Sequence, residues 1–450
     1  MKRAVLLAVV GITLIPRASA AQSLPEDPDV FAGRRDALMD RLPDGIFLSH
    51  SVWELKPWAF PGQAQHPTFY YLTGMERQIG GVLALDALTG EAILFAPGGV
   101  GGFMRSMGVA VQPGEQSATD LGLDAVRPWE ELKPWLDARI SESPGLKLYV
   151  EGQLSGFPAV PELPPFAIPA GVFHAMLASQ WPNVEVKAAW REIAELRAIK
   201  SAAEVETIRR AALTAMAGFT AGLVGIRPGR MQREVEAEII SACLAAGADG
   251  LSWWPWAHTG PAAVFPRTFE AFADYRHLNR RMQSGEVARI DVGCEVDHYH
   301  SDVGRTAPVS GYWTDGQRET WDLFVDAYRA SFAVIRDGVS VDSVRETFQR
   351  EVAIRAPDLR TEMAQRAALI LQDDEQIPSW QIHGVGLSAA EDFGPVLRAG
   401  MVVAYEPMFT VDDMGFYLED LLVITEDGFE NLTPDLPYSS DEIEAAMASR

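Results

Sequence analysis

Cysteine is nearly absent: Cys243 and Cys294 are the two in 450 residues. One pair in a chain this long is no disulfide framework. Neither residue has the sequence surroundings of a catalytic thiol, and free cysteine behaves as a small hydrophobe. Two buried, unpaired thiols are therefore expected. Basic residues are also in the minority, with 38 Lys and Arg against 62 Asp and Glu and a formal net charge of -24. Binding nucleic acid needs a basic surface to neutralise phosphates, so that class of partner is excluded. Long apolar runs are lacking beyond the first twenty residues. There, Met1-Lys2-Arg3, the apolar stretch Ala4 to Ile15 and Ala18-Ser19-Ala20 make the three parts of a secretory signal peptide over residues 1–20. The apolar stretch is too short for a comfortable membrane span. The mature chain is expected to be secreted, periplasmic in a bacterial-type cell, with no membrane span. Gly98 to Gly102 is glycine-rich but lacks a following Lys-Ser/Thr, so it reads as a turn and not a phosphate loop.

What is present is globular: 48% hydrophobic and 22% charged, long enough for two domains. Up to about residue 190, short apolar runs alternate with prolines and glycines. Gly45 to Leu48, Gly81 to Leu85 and Ala92 to Ala96 read as buried strands, and Asp36 to Leu42 and Trp129 to Arg139 as helices. His50 and His66 read as local hydrogen-bond partners. Ser201-Ala-Ala-Glu204 is a capping box that starts a helix running to about Gly225. Gln232 to Ala246, Arg318 to Arg336 and Val341 to Ala356 follow the same period. Trp253, Trp254 and Trp256 read as core or interface packing. The expected division is an N-terminal α/β domain over 25–195 and a second domain over 196–450. The second reads helix–helix–hairpin twice over, a pseudo-twofold arrangement with a site at its centre.

That site rests on two hairpins. In RIDVGCEVDHYHSDVGR (Arg289 to Arg305), Asp291 and Asp302 stand on either side of a reversal expected at Val296–Asp297. Directly opposed positions put both side chains on one face, with Cβ atoms about 4.5–5.5 Å apart. Carboxylates that close repel unless a proton or cation lies between them. An exposed acidic hairpin would explain one such pair. A second, Glu406 and Glu419 about a turn at Asp412–Asp413, repeats the arrangement, and IHGVGL places His383 between the two. Four carboxylates and an imidazole exceed what one zinc takes. They suit two adjacent divalent cations sharing bridging carboxylates and a bridging water.

At these residues the chain resembles the aminopeptidase P/prolidase family of metallopeptidases, which share the pita-bread fold with creatinase and methionine aminopeptidase. FYYLTG (Phe69 to Gly74) looks like the family's N-terminal domain, and ELRAIKSAAEVETIRRA (Glu195 to Ala211) like its inter-domain junction. IDVGCE, SDVGRTAPV, HGVGL, EPMFTV and LEDLLVIT resemble its metal-binding segments in order. The resemblance implies an α/β (α+β) chain with a creatinase-like N-terminal domain and a pita-bread catalytic domain. It implies metal ligands Asp291, Asp302, His383, Glu406 and Glu419. It implies two divalent ions, manganese before zinc or cobalt, and cleavage of Xaa-Pro peptide bonds by a metal-bridged hydroxide with Glu406 as general base. A peptide or small amide substrate and a homo-oligomer are expected with it.

Several family positions differ. The histidine before the glycines is Ser379, another after Gly-Leu is Ala390, a third is Arg267, and the arginine two before the last ligand is Tyr417. Partners of this kind matter about 10–100-fold in metal affinity or activity. His300, two residues from Asp302 and on its strand face, is the compensating catalytic candidate, although a structural role is equally open. Arg267 or His277 are candidates for a substrate anchor or oxyanion donor. Alternatives are a metal-binding protein of weak activity that holds a peptide or partner, or a hydrolase of non-peptide amides or esters with the same two metals.

Overall fold

The computed structural model describes residues 24–52, 65–76, 78–98, 111–152, 169–264, 267–268, 270, 279–373 and 381–449. Its first layer is a six-stranded sheet of β1 (Gly45–His50), β2 (Val82–Asp86), β3 (Glu91–Ala96), β4 (Ala125–Pro128), β5 (Lys147–Val150) and β6 (Val186–Ala188), in the order β4-β3-β2-β1-β5-β6. Alternation along these strands divides the side chains between two cores. Ile46, Leu48, Val82, Ala84, Ile93, Phe95, Leu148 and Val150 fill one face. Phe47, Leu83, Leu85, Leu94 and Tyr149 fill the other, in a core that also takes Val402, Ala404, Leu421 and Val423 from the C-terminal half. One face of each sheet therefore borders the same core, together with Leu38, Phe69 and Ile193 from helices.

The second sheet runs β13-β14-β16-β12-β9-β8, where β8 is Trp256–Thr259, β9 Val287–Val292, β12 Val303–Pro308, β13 Gln381–Gly384, β14 Val402–Glu406 and β16 Met414–Ile424. β15 (Met408–Val411) and β17 (Phe429–Asn431) also pair with β16. A small sheet of β7 (Gly250–Leu251), β10 (Cys294–Val296) and β11 (Tyr299–His300) extends the first hairpin. The helix Ala202–Gly225 carries the expected capping box and packs with Gln232–Ala245 behind β9, joining Phe219, Leu223 and Ile239 to Ile290 and Val292. The helices Asp315–Ser331 and Val341–Arg355 back the second hairpin through Phe324, Tyr328, Phe348 and Tyr405.

The halves are less alike than the sequence pattern suggests. A further helix, Glu362–Leu371, capped by Thr361, follows the expected pair in the second half, and Ser440–Ala448 closes the chain. The helix expected over Arg318 to Arg336 begins earlier, because Thr314 and Gln317 form a capping box, and gives way after Ser331 to a short 3-10 turn. Cys243 and Cys294 are free and buried. Of the tryptophans, Trp256 is buried on β8 beside β9, and Trp254 is exposed. Among the described residues, no helix is long and apolar enough to cross a membrane.

Candidate metal centre

Both hairpins turn on two residues with positive φ: Asp297 and His298 (47° and 69°) in the first, Asp412 and Asp413 (50° and 57°) in the second. The second turn is where the sequence places it. The first lies one residue later than expected. A two-residue turn of this kind needs left-handed backbone at both positions, which Asp and His tolerate and β-branched Val296 does not. The slip changes the register. Asp291 faces Gly304, and Val292 faces Val303, so Asp302 is a diagonal neighbour of Asp291 and not its opposite. Both carboxylates still share a face, because the shift is two positions. In the second hairpin Tyr405 pairs with Asp420 and Met408 with Tyr417, a single register that sets Glu406 against Glu419.

The two hairpins meet where β12 pairs with β16, with Gly304 opposite Glu419. His383 enters from β13, which pairs with β14 on its far side. Ligand atoms of Asp302, His383 and Glu419 come within 4.8 Å of one another. His383 Nε2 lies 3.2 Å from Glu406 Oε1 and 3.6 Å from Asp302 Oδ2. Its Nδ1 is 3.1 Å from the Gly384 carbonyl, which can only accept; the proton therefore sits there and Nε2 is left to bind an ion. Asp291 is tied at Oδ2 to Arg289 Nη2, at 2.9 Å. The other oxygen of Asp291, Oδ1 of Asp302 and Oε1 of Glu419 are buried with no hydrogen-bond partner.

Buried carboxylates in this density resist ionisation. Burial, and then neighbouring carboxylates, push Asp302 and Glu419 well above the ordinary carboxylate range. Burial also raises Asp291, to about 6, against the pull of Arg289. His383 is buried too, which by itself disfavours its charge, but the hydrogen bond and charge of Glu406 outweigh that and hold it at about 9. Three unpartnered carboxylate oxygens, one more carboxylate and an imidazole Nε2 that now faces Glu406 fit hard divalent cations, since each orphaned oxygen is a vacant donor position.

Three neighbours of the ligands escaped the sequence reading in their roles. Arg289 holds Asp291. Gln381 donates its amide to Glu406 Oε1. The Tyr417 hydroxyl lies 2.5 Å from Glu419 Oε2 and 3.1 Å from Glu406 Oε2. Each stands two residues before a ligand on its own strand: Arg289 before Asp291, Gln381 before His383, Tyr417 before Glu419. The period-two rule places such residues on the ligand's face, and that was the available signal.

His300 lies on β11, where its backbone amide donates to the Gly386 carbonyl at 2.8 Å. Burial lowers its ring, to about 4, and the charges it senses are Glu391, Arg197 and His298. Arg267 and Ala390 are exposed. Ser379 and His277 lie outside the described residues. Beside Ala390, Glu391 is buried against Lys200, 3.0 Å away, and Arg197, tying the loop after His383 to the segment joining the two sheets.

Residues 206–426 match metallopeptidase family M24. The Xaa-Pro aminopeptidase of Escherichia coli is 30% identical over 281 residues, 58% of this chain and 62% of that protein. Xaa-Pro aminopeptidase 2 of Streptomyces coelicolor is also 30% identical, over 57% of this chain and 58% of its own length. The alignments thus span less than two thirds of these relatives. Aminopeptidase PepP of Pseudomonas aeruginosa superposes with a TM-score of 0.71 at 24% identity, covering 94% of this chain and 98% of that one. A variant of Escherichia coli aminopeptidase P superposes with a TM-score of 0.70 at 25% identity, covering 94% and 99%.

Proposed function

We infer, from the match of residues 206–426 to metallopeptidase family M24, that this protein is a metal-dependent aminopeptidase of the Xaa-Pro type. The observation that carries the reading is the convergence of Asp302, His383 and Glu419 donor atoms within 4.8 Å, with unpartnered oxygens on Asp291, Asp302 and Glu419 around them. These four residues and Glu406 would hold two divalent cations. When bound, the pair would polarise a peptide carbonyl and acidify a water molecule. Manganese is favoured, because carboxylate-rich sites suit hard cations.

The chain's own groups do the rest. Glu406 is the base that takes a proton from the attacking water and returns it to the leaving nitrogen. Gln381 and Tyr417 hold its two oxygens in place. His383 presents Nε2 because Gly384 occupies Nδ1. A direct part for His300 needs its unpartnered Nδ1 to reach substrate; a His300→Ala enzyme with unchanged kcat would leave it a purely structural role. The signal-peptide reading of residues 1–20 and the two-domain division at 195–196 are part of the same proposal. They give a secreted, periplasmic enzyme acting on peptides, as a homo-oligomer.

A second reading, metal binding with weak catalysis, is favoured by the exposure of Arg267 and Ala390, at positions where the family keeps histidines near the substrate. The deciding experiment supplies manganese, cobalt or zinc to the purified protein. It then screens Xaa-Pro peptides, other dipeptides and chromogenic amides and esters. Metal-dependent release of the residue before proline supports the first reading. Turnover of non-peptide amides or esters alone would redirect the substrate assignment. Stoichiometric metal with no turnover would replace the enzymatic reading by the binding one.

A further inference from the structure

Arg289 is 2% exposed, and of the four site carboxylates it ion-pairs with Asp291 alone. A guanidinium so placed is costly to bury unless its surroundings are built for it. They are. Its Cζ lies over the Tyr417 ring, 3.9 Å from the centroid, and over the Trp256 ring, 4.9 Å from the centroid. Nη1 reaches Met408 Sδ at 3.4 Å, from the second hairpin. Tyr417 is on β16 and Arg289 on β9, with β12 between them. The ring can cross that strand because residue 304 is glycine: a Cβ there would stand 2.0 Å from Tyr417 Cε1. Gly304 is also the residue that pairs with Asp291 on one side and Glu419 on the other.

Resting on the metal-centre reading above, we propose that Arg289, Tyr417 and Gly304 form one positioning unit, in which Arg289 supplies from the first hairpin the cation against which the carboxylates of both hairpins are held. The unit works at both ends. Arg289 holds Asp291 by Oδ2 and leaves Oδ1 facing the site. The stacked tyrosine passes the constraint to Glu406 and Glu419 through its hydroxyl. The two hairpins, which come from different halves of the domain, are thereby locked at one separation. A planar guanidinium is needed, since an ammonium neither stacks on the ring nor presents a fixed fork to the carboxylate.

The test measures manganese uptake by calorimetry and the electron paramagnetic resonance spectrum of the bound pair, beside kcat and KM. Wild-type protein is expected to bind two ions with a coupled-pair spectrum. Arg289→Met is expected to weaken uptake about 10–100-fold, as loss of a ligand's supporting partner does, to alter the spectrum, and to lower kcat with little change in KM. Arg289→Met with uptake within threefold of wild type and an unchanged spectrum overturns the proposal and leaves the metal centre standing. Wild-type protein that takes up no manganese, cobalt or zinc overturns both. Should Arg289→Met fail to fold, Arg289→Lys decides: at least tenfold weaker uptake supports the unit, and uptake within threefold refutes it.

Discussion

His383 Nε2 lies 3.2 Å from Oε1 of Glu406, so in the metal-free protein one proton is held between an imidazole and the carboxylate assigned as base. Burial opposes the charged ring, and the hydrogen bond to Glu406 overcomes it and sets His383 at about 9. A cation must displace that proton. Metal affinity is therefore expected to rise with pH up to about 9 and to level off above it. Calorimetry in buffers of different ionisation enthalpy would show about one proton released per protein from this residue near neutral pH. Uptake that releases no proton below pH 9 would contradict the shared-proton arrangement.

The same groups make the metal-free fold sensitive to alkali. Asp302, Glu419 and His383 all have folded values above their unfolded ones, so their contribution to stability is present at low pH and lost as pH rises through the folded values. Desolvation shifts His66, His258 and His300 the other way, to about 4, 3 and 4, and these complete their effect near their ordinary value of about 6.5. Between about pH 7 and about pH 9 the melting temperature of chelator-treated protein should therefore fall. Divalent cation at about one hundred times its Kd should add about 2.7 kcal/mol. A melting temperature that climbs across this interval without metal would refute the assignment.

Glu406→Gln keeps the size and hydrogen-bonding reach of the side chain and removes its basicity. We expect kcat to drop about 10²–10⁴-fold, the usual contribution of a positioned base, with an unchanged circular dichroism spectrum. Activity within tenfold of wild type would move the base elsewhere.

Asp420 follows Glu419 and points to the opposite face, where Arg305 Nη2 meets Oδ1 at 2.7 Å with both residues 0% exposed. Tyr328 and Tyr438 donate to its other oxygen, at 3.0 and 2.7 Å. Asp420→Ala leaves a buried guanidinium unpaired and should cost about 3–5 kcal/mol, measured as a shift of the urea midpoint with unchanged slope. A smaller cost than about 1 kcal/mol would show that Arg305 finds another partner.

Cys243 and Cys294 are both buried and free. A thiol reagent should therefore react with neither in the native protein and with both in denaturant. Reaction with neither in denaturant would reveal a disulfide.

That the side chains of the candidate site would come together was legible because strand periodicity and turn chemistry are local. Asp412 and Asp413 announced their own turn, and the register that sets Glu406 against Glu419 followed by counting. The first hairpin failed by one residue for an equally local reason: Asp297 and His298 accept left-handed backbone and Val296 does not. The third helix of the second half, Glu362–Leu371, was passed over, although Thr361 gives it a capping residue.

The sequence by itself determined which side chains share the candidate site's face, because alternation assigns faces strand by strand without reference to the rest of the chain. Only the tertiary structure decided how the ligands are held. That Tyr417 lies against Arg289 depends on two strands separated by a third and on the space above Gly304. No spacing along the chain encodes such a relation, since sheet order and side-chain volume join residues more than a hundred positions apart.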